Sequence, residues 1–282
     1  MEIETPLKKI KSFFILGLLL SFLMTVGCTS YIEEVDQMDQ ILWYKQAATA
    51  WEEALPIGNG RLGAMVFGNP SIERLQLNDD SLWPKDLGWN HPEGNTKDLS
   101  KIRKLLFEGK NQLVDSLLVE LFSNKTIVRS HQTLGDLFIE LGHDTITEYQ
   151  RSLNLDKAVA EVSYKTEGYK VTQKSFASTP DQALILNLKS EHPNGLNGSI
   201  KLQRPKDEGV ETAISYVKSG NLIMEGEVTQ RKGSFNSKPA PITEGVQFQT
   251  LVKPEFAGGN IVAENNTIQL KGVKELTLYI VS

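Results

Sequence analysis

Residues 51–83 read WEEALPIGNGRLGAMVFGNPSIERLQLNDDSLW, and the alternation inside this stretch decides the fold class. Pro56-Ile57-Gly58-Asn59-Gly60 is a turn cluster, because Gly and Asn tolerate positive φ and Pro pre-sets φ near −65°. Arg61 to Phe67 then alternates and is rich in apolar residues, as a strand with one buried face is. Gly68-Asn69-Pro70-Ser71 breaks that strand, and Ile72, Leu75 and Leu77 begin a second. It ends at a polar corner, Asn78-Asp79-Asp80-Ser81, beside the aromatic Trp83.

Downstream, the chain is β from Gln132 to its last residue. LGDLFIELG, ITEYQRSLNL, VAEVSYKT, YKVTQKSFAS and ALILNLKS read as successive strands. Turns fall at Gly142-His143, Asp156, Glu167-Gly168 and Pro180-Asp181. Further strands are expected near Gly198–Gln203, Leu222–Val228, Val246–Val252, Thr267–Leu270 and Leu276–Val281. Between Gln203 and Gly245 the sequence is looser, with clusters such as Arg231-Lys232-Gly233, and long loops are expected there. Many short strands with frequent turns predict a mainly β fold, a large antiparallel β-sandwich. One insertion breaks the pattern. Leu99, Ile102, Leu105 and Leu106, then Leu113, Leu117, Leu118 and Leu121, recur at helical spacing around Gly109 and predict an αα-hairpin.

Upstream, Lys8, Lys9 and Lys11 precede an apolar run from Phe13 to Met24, then small residues and Cys28. That is the layout of a secretory signal, and the run is short for a bilayer-crossing helix. Cys28 is the only cysteine, so no disulfide can form within the chain. Its position after Thr25-Val26-Gly27 resembles a bacterial lipobox, which implies lipidation; an ordinary signal with an incidental cysteine is the alternative. Residues 1–28 are thus expected to be a signal peptide and lipobox, 29–41 an acidic flexible tether, and 42–282 the folded domain. Export follows, to the periplasm or as an outer-membrane or surface lipoprotein held to the membrane by its lipid.

Several motifs in order carry a family resemblance. ALPIGNGRLGAMVFG with LQLNDDSLW, IRKLLFEGK (Ile102 to Lys110), QTLGDLFIELGH (Gln132 to His143), YQRSLNLDKAVAEVSY (Tyr149 to Tyr164) and FASTPDQALILNL (Phe176 to Leu188) resemble glycoside hydrolase family 95. These are the α-L-fucosidases and related α-L-galactosidases. The resemblance covers the chain from about Leu42 onward and implies the family's N-terminal supersandwich-like domain. It also implies that the catalytic carboxylates, an acid Glu and a base Asp assisted by Asn in an inverting mechanism, lie in a later (α/α)6 barrel. This chain is expected to lack that barrel and to be inactive alone. Its partner would be a fucosylated glycan, reached through the catalytic domain. A free-standing carbohydrate-binding surface lipoprotein and a ligand-free structural remnant are the alternatives.

Chemistry within the chain itself is sparse. Glycoside hydrolysis needs two carboxyl groups flanking one bond. Asp79 and Asp80 are the best placed, but adjacent residues on an extended segment point to opposite faces. Asx-type turn capping by Asn78, Asp79 and Asp80 is the simpler reading. Asn59, Arg61 and Trp83 complete the candidate substrate-binding or barrel-interface set. The four histidines, His91, His131, His143 and His192, show no metal-ligand spacing, and no cofactor is expected. Gly58-Asn59-Gly60 lacks the Lys-Ser/Thr of a phosphate loop. Trp43, Trp51, Trp83 and Trp89 are expected in the core; exposed, they would serve as sugar-stacking platforms. An isolated domain should expose an apolar patch on the αα-hairpin or at the Asn78–Trp83 corner. Net charge is −5, and no basic stripe points to a nucleic acid partner.

Overall fold

The computed structural model describes residues 40–84, 93–123, 130–231, 239–241 and 246–282. The signal sequence with Cys28, the tether to residue 39, Trp89, His91 and the Lys232-Gly233 cluster lie outside the described residues. No helix among the described residues is long and apolar enough to cross a membrane.

Eighteen strands make up the described chain. The first five are β1 (Ile41–Tyr44), β2 (Leu55–Gly58), β3 (Leu62–Val66), β4 (Ile72–Asp79) and β5 (Gly135–Glu140). Then come β6 (Ile146–Asn154), β7 (Val159–Thr166), β8 (Tyr169–Ser178), β9 (Ala183–Ser190) and β10 (Leu196–Gln203). The last eight are β11 (Ala213–Lys218), β12 (Asn221–Glu227), β13 (Thr229–Arg231), β14 (Pro239–Pro241), β15 (Gln247–Ala257), β16 (Asn260–Glu264), β17 (Thr267–Val273) and β18 (Glu275–Val281). Two helices, α1 (Thr96–Phe107) and α2 (Asn111–Phe122), lie between β4 and β5.

The strands form two antiparallel sheets and a small ribbon. One sheet has the order β1-β6-β7-β8-β9-β18-β15-β12-β11, the other β16-β17-β10-β5-β4-β3-β2, and β13 pairs with β14. The period-two pattern explains why the two large sheets face each other. In β3, Leu62, Ala64 and Val66 are buried, and in β4, Leu75 and Leu77 are fully enclosed. They join one core cluster with Leu137 and Ile139 of β5, Leu186 of β9, Val252 of β15 and Leu278 of β18. Truncating any one of these leucines to alanine costs about 2–5 kcal/mol.

The helical hairpin forms where its spacing placed it. Asn95 caps α1, its side chain accepting from the Lys97 and Asp98 amides while Asp98 Oδ2 accepts from the Asn95 amide (3.0 Å). Gly109, at φ 72°, turns the chain into α2. The hairpin buries Ile102 and Val114 but leaves Leu106, Phe107, Leu113, Leu118 and Val119 exposed.

Four features depart from expectation. Pro56-Ile57-Gly58, expected in a turn, belongs to β2 and pairs with β3, so of that cluster only Asn59-Gly60 lies in the turn. Trp43, Trp51 and Trp83 are each more than half exposed rather than in the core. Trp43 lies on edge strand β1 and Trp51 in a short 3-10 turn (Trp51–Glu53), so neither backs onto the facing sheet. Strands β11 and β16 were not legible. Each is an edge strand with little burial, so packing imposes no alternation on its sequence. β4 also buries two carboxylates, Glu73 and Asp79, at the two ends of the inward row that holds Leu75 and Leu77.

Candidate functional site

The β2–β3 hairpin builds one end of the sandwich. Asn59 Oδ1 accepts from the amides of Arg61 (3.1 Å) and Leu62 (2.8 Å), and Gly60 supplies the left-handed residue at φ 96°. Asn59 Nδ2 donates to the Ser178 carbonyl at the end of β8 (2.9 Å). This hairpin aims Arg61 across the end of the molecule. Its Nη1 donates to Asp79 Oδ2 at 2.8 Å and to the Ser282 carbonyl at 3.2 Å. Its Nε and Nη2 donate to the side chain and carbonyl of Gln182 at 3.0 and 3.3 Å. Asp79 belongs to the seven-stranded sheet, whereas Gln182 and Ser282 flank strands of the nine-stranded sheet. One guanidinium fork therefore ties the two layers together, a use that suits its planar five-donor geometry.

Asp79 is held as a structural acceptor. Its Oδ1 accepts from the Ser81 amide (3.0 Å) and hydroxyl (2.6 Å), the expected Asx turn. Burial pushes its carboxyl up, but hydrogen bonds from Ser81 and Ser282 and the Arg61 charge outweigh burial and hold it below the usual range. Asp80 is exposed, and its amide donates to the Arg61 carbonyl (3.1 Å). β4 ends at Asp79 and Asp80 opens the turn that follows; with one carboxylate buried in the Arg61–Ser81 network and the other in solvent, the two are not disposed as an acid–base pair across one bond.

A second segment, His131–Asp136, clamps this corner, and its role was not read from the sequence. His131 Nε2 donates to the Asp79 carbonyl (2.8 Å), and its ring meets the exposed Trp83 edge-on with centroids 5.3 Å apart. The Gln132 amide donates to Leu82 O (3.0 Å), and the Thr133 hydroxyl and Leu134 amide donate to Leu77 O. Gln132 Nε2 donates to Thr229 O (2.7 Å), and Gln132 Oε1 accepts from Arg204 Nη2 (3.1 Å). The buried Arg204 also donates to Thr133 O (3.0 Å) and lies over the Phe248 ring at 4.9 Å. Of the six candidates, Asn59, Arg61 and Asp79 are thus joined in one network. Asn78, Asp80 and Trp83 face outward around it.

Glu73, at the other end of β4, is the second buried carboxyl. Its Oε1 accepts from the amides of Gly68 (2.9 Å) and Arg74 (3.0 Å), and its Oε2 from Gln173 Nε2 (3.2 Å). Burial dominates these bonds and pushes the carboxyl up to about 7. The Tyr149 hydroxyl donates to the Gly68 carbonyl (2.7 Å), and burial with the nearby Glu73 charge raises the Tyr149 and Tyr164 phenols. His143 Nδ1 meets the Tyr164 hydroxyl at 2.9 Å, and His192 Nε2 meets Glu167 at 3.0 Å. Among the described residues no cluster of three or more His, Cys, Asp or Glu side chains is arranged to hold a metal ion.

The outer face of the seven-stranded sheet carries a groove of about 400 Å³ next to this corner. Trp51 and His131 stand on its walls, and Met65, Gln76 and Asn78 line it. Gly58 and Gly63 face each other across β2 and β3, and Gly63 pairs with Asn78 on β4. Of the two glycines, Gly63 lines the groove and adds no side chain to it.

Comparison with known proteins places this geometry in a family. Residues 42–282 match the glycosyl hydrolase family 65 N-terminal domain. Alpha-L-fucosidase 2 of Arabidopsis thaliana is 31% identical over 229 residues, covering 76% of this chain and 26% of that protein. "Probable alpha-fucosidase A" of Aspergillus oryzae is 34% identical over 160 residues, 53% of this chain and 21% of the fungal protein. Its Aspergillus niger namesake is 34% identical over 145 residues, 49% and 18% of the two chains. The chain therefore spans about a quarter or less of the length of these curated relatives. A solved structure from human microbiome, provisionally named a kojibiose phosphorylase, aligns with 86% of this chain and 32% of its own at 8% identity and a TM-score of 0.42. With the family match spanning both sheets and the helical hairpin, the chain belongs to the glycosyl hydrolase family 65 N-terminal domain family.

Proposed function

We propose that this chain is the N-terminal, non-catalytic sandwich of an exported α-L-fucosidase of glycoside hydrolase family 95. The observation that carries this reading is the 31% identity to a plant α-L-fucosidase over 229 residues. The burial of Asp79 as a structural acceptor, beside an exposed Asp80, supports the non-catalytic part, since glycosidases need two carboxyl groups flanking one bond. In this reading Asn59, Arg61 and Asp79 hold the corner rigid. Asn78, Asp80 and Trp83 are what it offers to a neighbouring catalytic domain or to the glycan that domain holds. Lipidation at Cys28 and the acidic tether would keep the enzyme at a membrane surface.

The test is release of L-fucose from 2′-fucosyllactose by this chain alone, and by this chain co-expressed with the polypeptide encoded directly downstream. No release alone and clear release from the pair is the expected result. Release by the chain alone would place the catalytic pair within these residues, and no release in either arm would remove the fucosidase reading. A second reading, a free-standing carbohydrate-binding surface lipoprotein, draws on one observation: Trp43, Trp51 and Trp83 are each more than half exposed.

A further inference from the structure

We propose that the groove over β2, β3 and β4 is a saccharide-binding site that seats one neutral sugar ring against Trp51. Its size, about 400 Å³, falls in the range of small-molecule sites, roughly 300–1,000 Å³. Its chemistry selects the ligand class. The lining holds no carboxylate, lysine or arginine, so an ionic ligand finds no counter-charge there. What it offers is an aromatic wall and neutral polar groups, the pairing that a ring with apolar C–H faces and hydroxyl edges requires.

The polar groups are set to receive hydroxyls. The Asp79 carbonyl can only accept, so His131 Nε2 carries a proton, and Nδ1 is the ring nitrogen that Asp79 leaves unengaged. Gln76 Oε1 is enclosed in the groove's lining with no hydrogen-bond partner. An enclosed, unpartnered oxygen costs about 1–3 kcal/mol, and a ligand hydroxyl would relieve it after rotation of the side-chain amide. Asn78, exposed at the rim, supplies both a donor and an acceptor. Gly63, in the lining, puts no side chain between a ligand and this row. Trp51 is fit for the wall, being 54% exposed in a 3-10 turn that buries none of its own residues.

This deepens the glycan reading above and rests on it only for the choice of sugar. The experiment titrates the full chain with 2′-fucosyllactose and, separately, with lactose, following tryptophan fluorescence and saturation-transfer NMR of the sugar protons. Saturable binding is expected at a Kd in the millimolar range, about 1–10 mM for one ring on one open wall. Trp51→Ala and Asn78→Ala should each weaken it at least about tenfold while the edge-strand control Trp43→Ala leaves it unchanged. Unchanged urea midpoints establish that the variants fold. No saturable binding of either sugar to about 50 mM, or wild-type affinity in both groove variants, overturns the site. Equal affinity for the two sugars keeps the saccharide site and removes fucose as its target. That result is independent of the fucose-release assay, so either proposal can fail alone.

Discussion

Replacing Glu73 with glutamine should stabilise the protein above neutral pH and remove a defined part of its pH dependence. The carboxyl sits on the inward row of β4 with Leu75 and Leu77, its oxygens accepting from two backbone amides and Gln173. Burial raises it from its ordinary 4.5 to about 7. In the folded protein Glu73 therefore keeps its proton up to about pH 7, whereas the unfolded chain releases it above 4.5. Across that window the folded state binds more protons, so this group's contribution falls as pH rises and is lost above pH 7. A move from 4.5 to about 7 corresponds to about 3 kcal/mol between the acidic and alkaline limits. Glutamine keeps the shape and an acceptor for the Gly68 and Arg74 amides, and Gln173 can turn its amide to meet the new donor.

Urea unfolding of wild type and Glu73→Gln at pH 5, 6, 7 and 8 measures the effect. His143 acts in the same range with the opposite sign. Burial, then the neighbouring His192, depress its imidazole, so its contribution grows as pH rises toward 6.5. Taking the difference between the two proteins cancels that term. The variant should gain about 2.5 kcal/mol on wild type between pH 5 and 8, the part of the full change that falls inside that range. A difference constant to within about 0.5 kcal/mol would refute the argument.

Other consequences are simpler to state. Arg61→Ala leaves Asp79 buried with only its Ser81 and Ser282 partners and frees Gln182, and should cost about 1–3 kcal/mol in urea unfolding at pH 7. Because the Ser81 and Ser282 hydrogen bonds, with the Arg61 charge added, hold the wild-type carboxylate low against its burial, that cost should shrink as pH falls through the folded Asp79 titration; a cost unchanged across the acid range would point away from the ion pair. Cys28→Ser should abolish incorporation of labelled palmitate in a bacterial host that processes lipoproteins. Equal labelling of both proteins would eliminate the lipid anchor.

Most of the fold was legible because each central strand alternates between a packed face and a second face. Leu62-Gly63-Ala64-Met65-Val66 states its own orientation, and β4 repeats the pattern. The helical hairpin was legible for the same reason at a different period, with Gly109 as its punctuation; the Asn95 cap emerged only in the structure. Edge strands β11 and β16 were not, because one unpaired side and weak burial relax the demand on side chains. The tryptophans misled because hydrophobicity favours burial only where a second layer exists to meet it, and β1 and the Trp51 turn have none. At the candidate site, local turn chemistry revealed Asn59 and Asp79. The partners of Arg61 on the other sheet lie 121 and 221 residues further along, and no local pattern announces contacts at that range. The Gln132 clamp on Thr229, 97 residues away, was hidden for the same reason.

The position of β18 between β9 and β15 has a consequence for biosynthesis. As the chain leaves the ribosome, β6 to β9 can zip together as successive hairpins, and β12 can pair with β15, but the two halves share no strand until residues 275–281 emerge. Until then β9 and β15 are both open edges carrying unpaired amides and carbonyls, the surfaces most prone to pairing with another nascent chain. The nine-stranded sheet is closed by its keystone last. Synthesis in a chaperone-poor extract, or ribosome stalling just before Glu275, is therefore where misassembly of this domain should concentrate.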